Sequence, residues 1–144
     1  MKCENYVKLS FPALSRNESY ARAAVGAFVS QLDPTVDELG SVKAAVSEAV
    51  TNAIIHGYDG KGGKILMTCQ QKGQDLTVAV QDKGKGIADI KKARQPFYTS
   101  RPELERSGMG FAFMEAFMDD VEVISEVDVG TTIIMRKKMG AQDT

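Results

Sequence analysis

The longest helical signal in the chain runs from Thr35 to Gly57, and it constrains where everything else can go. Thr35-Val-Asp-Glu38 is a capping box: the Thr35 hydroxyl and the Glu38 carboxylate each satisfy an amide at the helix start. Behind it Leu39, Val42, Val46, Val50, Ala53 and Ile54 fall at helical spacing and form an apolar face. Glu48, Asn52 and His56 recur every four residues, slightly more than one turn, so they make a drifting polar row beside that face. A helix that buries one side and turns Glu and Asn toward a cleft can hold a metal ion next to a reacting group. Taken alone, the same row also describes a solvated stripe. Gly57 is expected to cap the helix in the left-handed conformation, where glycine carries no Cβ penalty.

The flanking segments supply a sheet. Val7, Leu9 and Phe11 alternate with Lys8 and Ser10 as a strand that Pro12 ends. Ser15-Arg-Asn-Glu18 is another capping-box pattern, opening a first helix with Ala21, Ala24, Val25, Phe28, Val29 and Leu32 inward. Asp59 to Gly63 reads as a loop. Ile65, Met67 and Cys69, then Leu76, Val78 and Val80, predict a hairpin turning at Lys72-Gly73. Asp82-Lys-Gly-Lys-Gly86 is a glycine turn, with a short helix expected within Ile87 to Ala93. Residues 94–107 form a polar loop. Gly108-Met-Gly110 opens an apolar helix with Phe111, Met114, Phe117 and Met118. Val121, Val123 and Ile124, then Thr131 to Arg136, predict two last strands around Asp128-Val-Gly130. The order predicts an α/β fold, a two-layer sandwich whose mixed, mostly antiparallel sheet has helices on one face and is open on the other. One domain is expected over 1–138, with 139–144 a flexible tail.

Composition narrows the function classes. A chain of 144 residues suits one domain. Its net charge of -1 gives no bulk attraction to nucleic acid or membrane. No signal-peptide run or spanning segment is apparent, so a cytoplasmic protein is expected. Cys3 and Cys69 match no metal spacing and read as reduced thiols, and a single histidine argues against zinc.

Three separated patterns carry chemistry. Asn52 offers a neutral oxygen to a Mg²⁺ already held by phosphate and water, and Glu48, one turn away, can accept a proton from an attacking hydroxyl. Asp82 at a strand end can accept a hydrogen bond from an exocyclic amine, while Gly84 and Gly86 let backbone approach a flat ring. Gly108-Met109-Gly110 at a helix start presents free amides and a dipole suited to phosphate. Each pattern alone also fits a plain turn or helix start. Together, in this order, they describe a pocket for an adenine, a triphosphate and a metal.

These motifs resemble the N and glycine boxes of the gyrase, heat-shock-90, histidine-kinase and mismatch-repair ATPases, with their Bergerat nucleotide fold. Val46 to Tyr58, Ala93 to Pro96, Arg101 to Phe111 and Met118 to Val121 resemble more narrowly the anti-sigma F factor family of spore-forming bacteria. The resemblance implies a homodimeric serine protein kinase that sequesters a sporulation sigma factor and phosphorylates an anti-anti-sigma partner with ATP. By motif it implies Glu48 as base, Asn52 as Mg²⁺ ligand and Asp82 on the adenine amine. Gly86 would lie against the ring, with Thr132 near it. Gly108 and Gly110 would donate amides to phosphate, and Arg106, in a lid from Arg94 to Ser107, would contact it. Glu18 and Arg22 on the first helix would help dock sigma; read from spacing alone they are a cap and an i,i+4 ion pair. Other readings are a nucleotide-gated sigma switch without kinase turnover and the general-stress branch of the family. A histidine-kinase catalytic domain is disfavoured, since no acceptor-histidine domain accompanies it, and a gyrase-type clamp lacks a transducer domain.

Overall fold

A computed structural model describes residues 4–96 and 110–140. Strands β1 (Asn5–Pro12), β2 (Lys64–Lys72), β3 (Asp75–Asp82), β4 (Asp120–Glu126) and β5 (Gly130–Lys138) form one sheet in the order β1-β2-β3-β5-β4. All four pairings are antiparallel, where the sequence left room for a mixed sheet. The reason lies in the connection after β1. A single crossover helix would return β2 parallel to β1, but two long helices intervene and send it back the opposite way.

Those helices, α1 (Asn17–Val29) and α2 (Val36–Asn52), share one face of the sheet with the short α3 (Ile90–Ala93) and with α4 (Gly110–Phe117). The strands alternate accordingly. Ile65, Met67 and Cys69, then Leu76, Val78 and Val80, then Ile133 and Met135 are buried beneath the helices. α2 packs between α1 and α4 and supplies the centre of the core through Val42, Ala45, Val46, Ala49 and Val50. Burial pushes the Cys69 thiol up to about 11, so it stays neutral and unreactive inside the core.

The two capping boxes have different outcomes. At Thr35 the box forms in full: the Glu38 amide donates to Thr35 Oγ1 (3.0 Å) and the Thr35 amide to Glu38 Oε1 (2.8 Å). At Ser15 it does not. Residue Arg16 occupies the cap position without a side-chain bond. Glu18 turns instead toward the helix layer, where it accepts from the Ser47 hydroxyl of α2 and pairs with Arg22 at 3.5 Å. A charged acceptor gains more from a hydroxyl in a packed helix–helix contact, with a cation beside it, than from a frayed helix end.

The expected tail also needs correction at its start. Met139 is fully buried, and its amide donates to the Gln74 carbonyl (2.7 Å). The Gly140 amide donates to Glu38 Oε1 (2.9 Å), so the carboxylate that caps α2 also fastens the chain after β5. These bonds hold the Glu38 carboxyl below its ordinary range, the Thr35 amide contributing most. Replacing Met139 by Ala empties a filled core position and is expected to cost about 2–5 kcal/mol. Urea unfolding of the full chain checks this; a change within about 0.5 kcal/mol, typical of surface sites, would mean that Met139 is not part of the core.

Candidate functional site

The end of α2 departs from a plain α-helix. Ala53–Gly57 make a π turn, closed by the Tyr58 amide on the Ala53 carbonyl at 3.1 Å. Five residues overshoot an α turn by about 1.4 residues; the wider turn closed by a bond spanning five residues takes up part of that excess. Gly57 therefore comes round toward the side of the helix that carries Asn52. Left-handed geometry arrives later than expected, at Asp59 (φ 54°) and Gly60 (φ 73°), not at Gly57. Gly57 is needed for space: a Cβ there would lie 2.8 Å from the Asp82 carboxylate.

Asp82 ends β3 and is buried at 4 % exposure. Its carboxylate accepts from the Gly84 amide (2.9 Å) and from the Thr131 amide. Burial nevertheless dominates and raises its pKa above the ordinary 3.8, with the two amides opposing. The glycine turn that follows is bolted to the end of α2. The Lys85 amide donates to the Gly57 carbonyl (2.9 Å), and the Lys83 amide to Tyr58 Oη (2.7 Å). Lys85 Nζ pairs with Asp59 at 2.7 Å. A side chain at Gly84 would meet the Gly57 carbonyl oxygen at 2.0 Å, so glycine is obligatory at this approach. Tyr58 also donates to the Lys64 carbonyl (2.5 Å), and its ring fills the space a side chain at Gly63 would take.

The structure thus brings Gly57, five residues beyond Asn52, against Asp82, Gly84 and Lys85, two segments far apart in sequence. Glu48 is half-buried one turn before Asn52. Gly110 begins α4, which packs along α2. Arg106, Gly108 and Met109 lie outside the described residues. Glu18 and Arg22 sit on α1, Glu18 facing α2. Thr132 is the exception. It pairs with Gln81, while Thr131 pairs with Asp82. Side chains alternate along a strand, so Thr132 points to the open face and buried Thr131 shares the face of Asp82. Arg136 held the clue: counting back by twos from that exposed residue puts Thr132 outside. Gly57 and Tyr58 were readable only as a helix end, because nothing local announces a contact with Asp82.

Among the described residues no group of three or more His, Cys, Asp or Glu side chains could hold a metal ion. The donor set fits an ion bound mainly by phosphate and water, with one Asn oxygen from the protein.

The Histidine kinase-like ATPase domain family matches residues 11–137, a span that contains every element of this site. The chain is 57% identical over 135 residues to the anti-sigma F factor of Clostridium acetobutylicum, covering 94% of both. It is 55% identical over 137 residues to that of Clostridium perfringens, covering 94% of this chain and 98% of the relative. The chain belongs to the anti-sigma F factor family. Among solved structures, the RsbU and RsbW domains of a Mycobacterium tuberculosis protein superpose with a TM-score of 0.68 at 19% identity, covering 94% of this chain and 32% of that one. The nucleotide-free catalytic domain of the histidine kinase ThkA superposes at 0.56 with 16% identity, covering 94% and 96%. At these identities the likeness is one of fold.

In this member of the anti-sigma F factor family, the raised pKa of Asp82 has a signed consequence. The native state holds the Asp82 proton more tightly than the unfolded chain. Stability from this group therefore falls as pH rises from about 3.8 through the higher native value. Asp82→Asn is expected to flatten that part of the stability–pH curve, measured by thermal unfolding from pH 3 to 8. Gly57→Ala is expected to keep the fold but displace the carboxylate, weakening ATP binding at least tenfold by calorimetry; unaltered affinity would separate Asp82 from the ligand.

Proposed function

We propose that the chain binds ATP with Mg²⁺, phosphorylates a serine on an anti-anti-sigma partner, and in its nucleotide-bound form sequesters a sporulation sigma factor. The observation that carries this reading is the junction of Gly57, at the end of the turn that follows Asn52, with buried Asp82. A carboxylate held by two amides, with no cation on it among the described contacts, suits an exocyclic amine of adenine. Asn52 would lie on the phosphate side as a neutral Mg²⁺ ligand, a role supported by the packing of α2 on α4, which Gly110 opens. Asn52 would help hold Mg²⁺, which would supply positive charge against that of the phosphates.

Phosphoryl transfer needs positioning and charge neutralisation more than covalent chemistry from the protein. Glu48 supplies the missing element: one turn from Asn52, it would orient the partner's serine hydroxyl and take its proton. Family membership supports the sigma-binding role, for which α1 offers Arg22, exposed and held only loosely at 3.5 Å from Glu18. A second copy of the chain completes the proposed assembly. No helix among the described residues is long and apolar enough to cross a membrane.

Glu48→Gln is expected to bind ATP normally and to lose serine phosphorylation by ~10² or more, read with labelled ATP and a purified anti-anti-sigma protein. Turnover at the wild-type rate would remove Glu48 from the role of base. Arg22→Ala is expected to weaken capture of the sigma factor while altering stability by less than about 0.5 kcal/mol; undiminished capture would place the docking surface elsewhere.

A further inference from the structure

Ser125 lies on β4, on the helix-facing side of the sheet, and its hydroxyl meets three groups. The Ile87 amide donates to it at 2.7 Å. The Thr131 hydroxyl is 2.7 Å away. The Gly130 carbonyl is 3.2 Å away. Ile87 directly follows the glycine turn, and Thr131 stands beside Asp82 in the sheet register. A single hydroxyl therefore ties the residue after the glycine turn to the start of β5 beside Asp82, and nothing in the proposed reaction uses it.

Counting protons fixes the direction of these bonds. A serine hydroxyl has one proton to give and two lone pairs to receive. The Ile87 amide takes one lone pair. A carbonyl can only accept, so the Gly130 contact needs the Ser125 proton. The Thr131 proton must then fill the second Ser125 lone pair. This arrangement satisfies all three contacts, whereas the reverse direction between the hydroxyls leaves the carbonyl without its donor. Thr131 Oγ1 is left with lone pairs alone.

We infer that Ser125 is a positioning residue that sets the base preference of the pocket, by holding the Thr131 proton away from the ring and so making that wall acceptor-only. The inference rests on the nucleotide reading above. Asp82 and Thr131 then both accept, which suits a purine with a 6-amino group and opposes a 6-oxo group. Without Ser125 the Thr131 hydroxyl rotates and can donate to a 6-oxo group as readily as it accepts from an amine.

The test is calorimetric titration of the full chain with ATP and with inosine triphosphate, which carries the 6-oxo group. Wild type is expected to favour ATP. Ser125→Ala is expected to lower the ATP-to-inosine-triphosphate ratio about threefold to tenfold, the worth of one neutral hydrogen bond, and Ser125→Thr to restore it. A Ser125→Ala protein that loses affinity for both nucleotides equally overturns the inference, because a merely structural role weakens both alike. Should Ser125→Ala not fold, Thr131→Val decides: a ratio equal to wild type overturns the proposal, and a lowered one supports it. Wild type that binds both nucleotides equally defeats the inference and leaves nucleotide binding intact. Wild type that binds neither defeats the nucleotide reading itself.

Discussion

The contact between the Gly57 carbonyl and the Gly84–Lys85 backbone is the interaction on which the site depends. It joins the end of α2 to the turn after β3 with main-chain atoms on both sides: the Lys85 amide at 2.9 Å, and a Gly84 that admits no side chain. Backbone atoms in two packed elements have few alternative positions, unlike the tips of long side chains. The spacing between Asn52 and Asp82 is therefore set by the fold itself. A pocket meant for a molecule with a ring at one end and phosphates at the other gains from such a fixed span.

The surrounding layers serve that contact. α2 is held at its start by the Thr35–Glu38 box, along its length by α1 and α4, and at its end by Tyr58. The Glu18–Ser47 bond ties α1 to the residue just before Glu48. On the far side of the glycine turn, Gly86 (φ 76°) sits against the Glu126 carbonyl, and the Asp128 amide donates to the Lys85 carbonyl at 2.8 Å. The turn is clasped from both ends, by the helix layer and by the β4–β5 hairpin.

Much of this was legible in the sequence, for a physical reason. Period-two and period-3.6 patterns report burial, so the strands, the two long helices and the layer arrangement could be read from apolar spacing. The Thr35 box formed because its two partners, Thr35 and Glu38, lie only three residues apart. Where a residue's fate depends on distant partners, the reading went astray. Glu18 left its local cap for Ser47, Met139 found a core slot beside Gln74, and Gly57 was a spacer for Asp82 rather than a left-handed cap. Motif resemblance alone points to Thr132, and only the register of β5 on β3 shows that Thr131 is the threonine paired with Asp82.

The π turn at Ala53–Gly57 carries a consequence for how sequences of this kind vary. Its extra residue is a matter of number as well as chemistry: Gly57 admits no Cβ beside Asp82, and the count of residues before it decides where that glycine falls. Removing a single residue would shorten the stretch between Asn52 and Gly57 and rotate one past the other. Length in this short segment therefore matters to the junction with Asp82 as much as the absence of a side chain at Gly57 does.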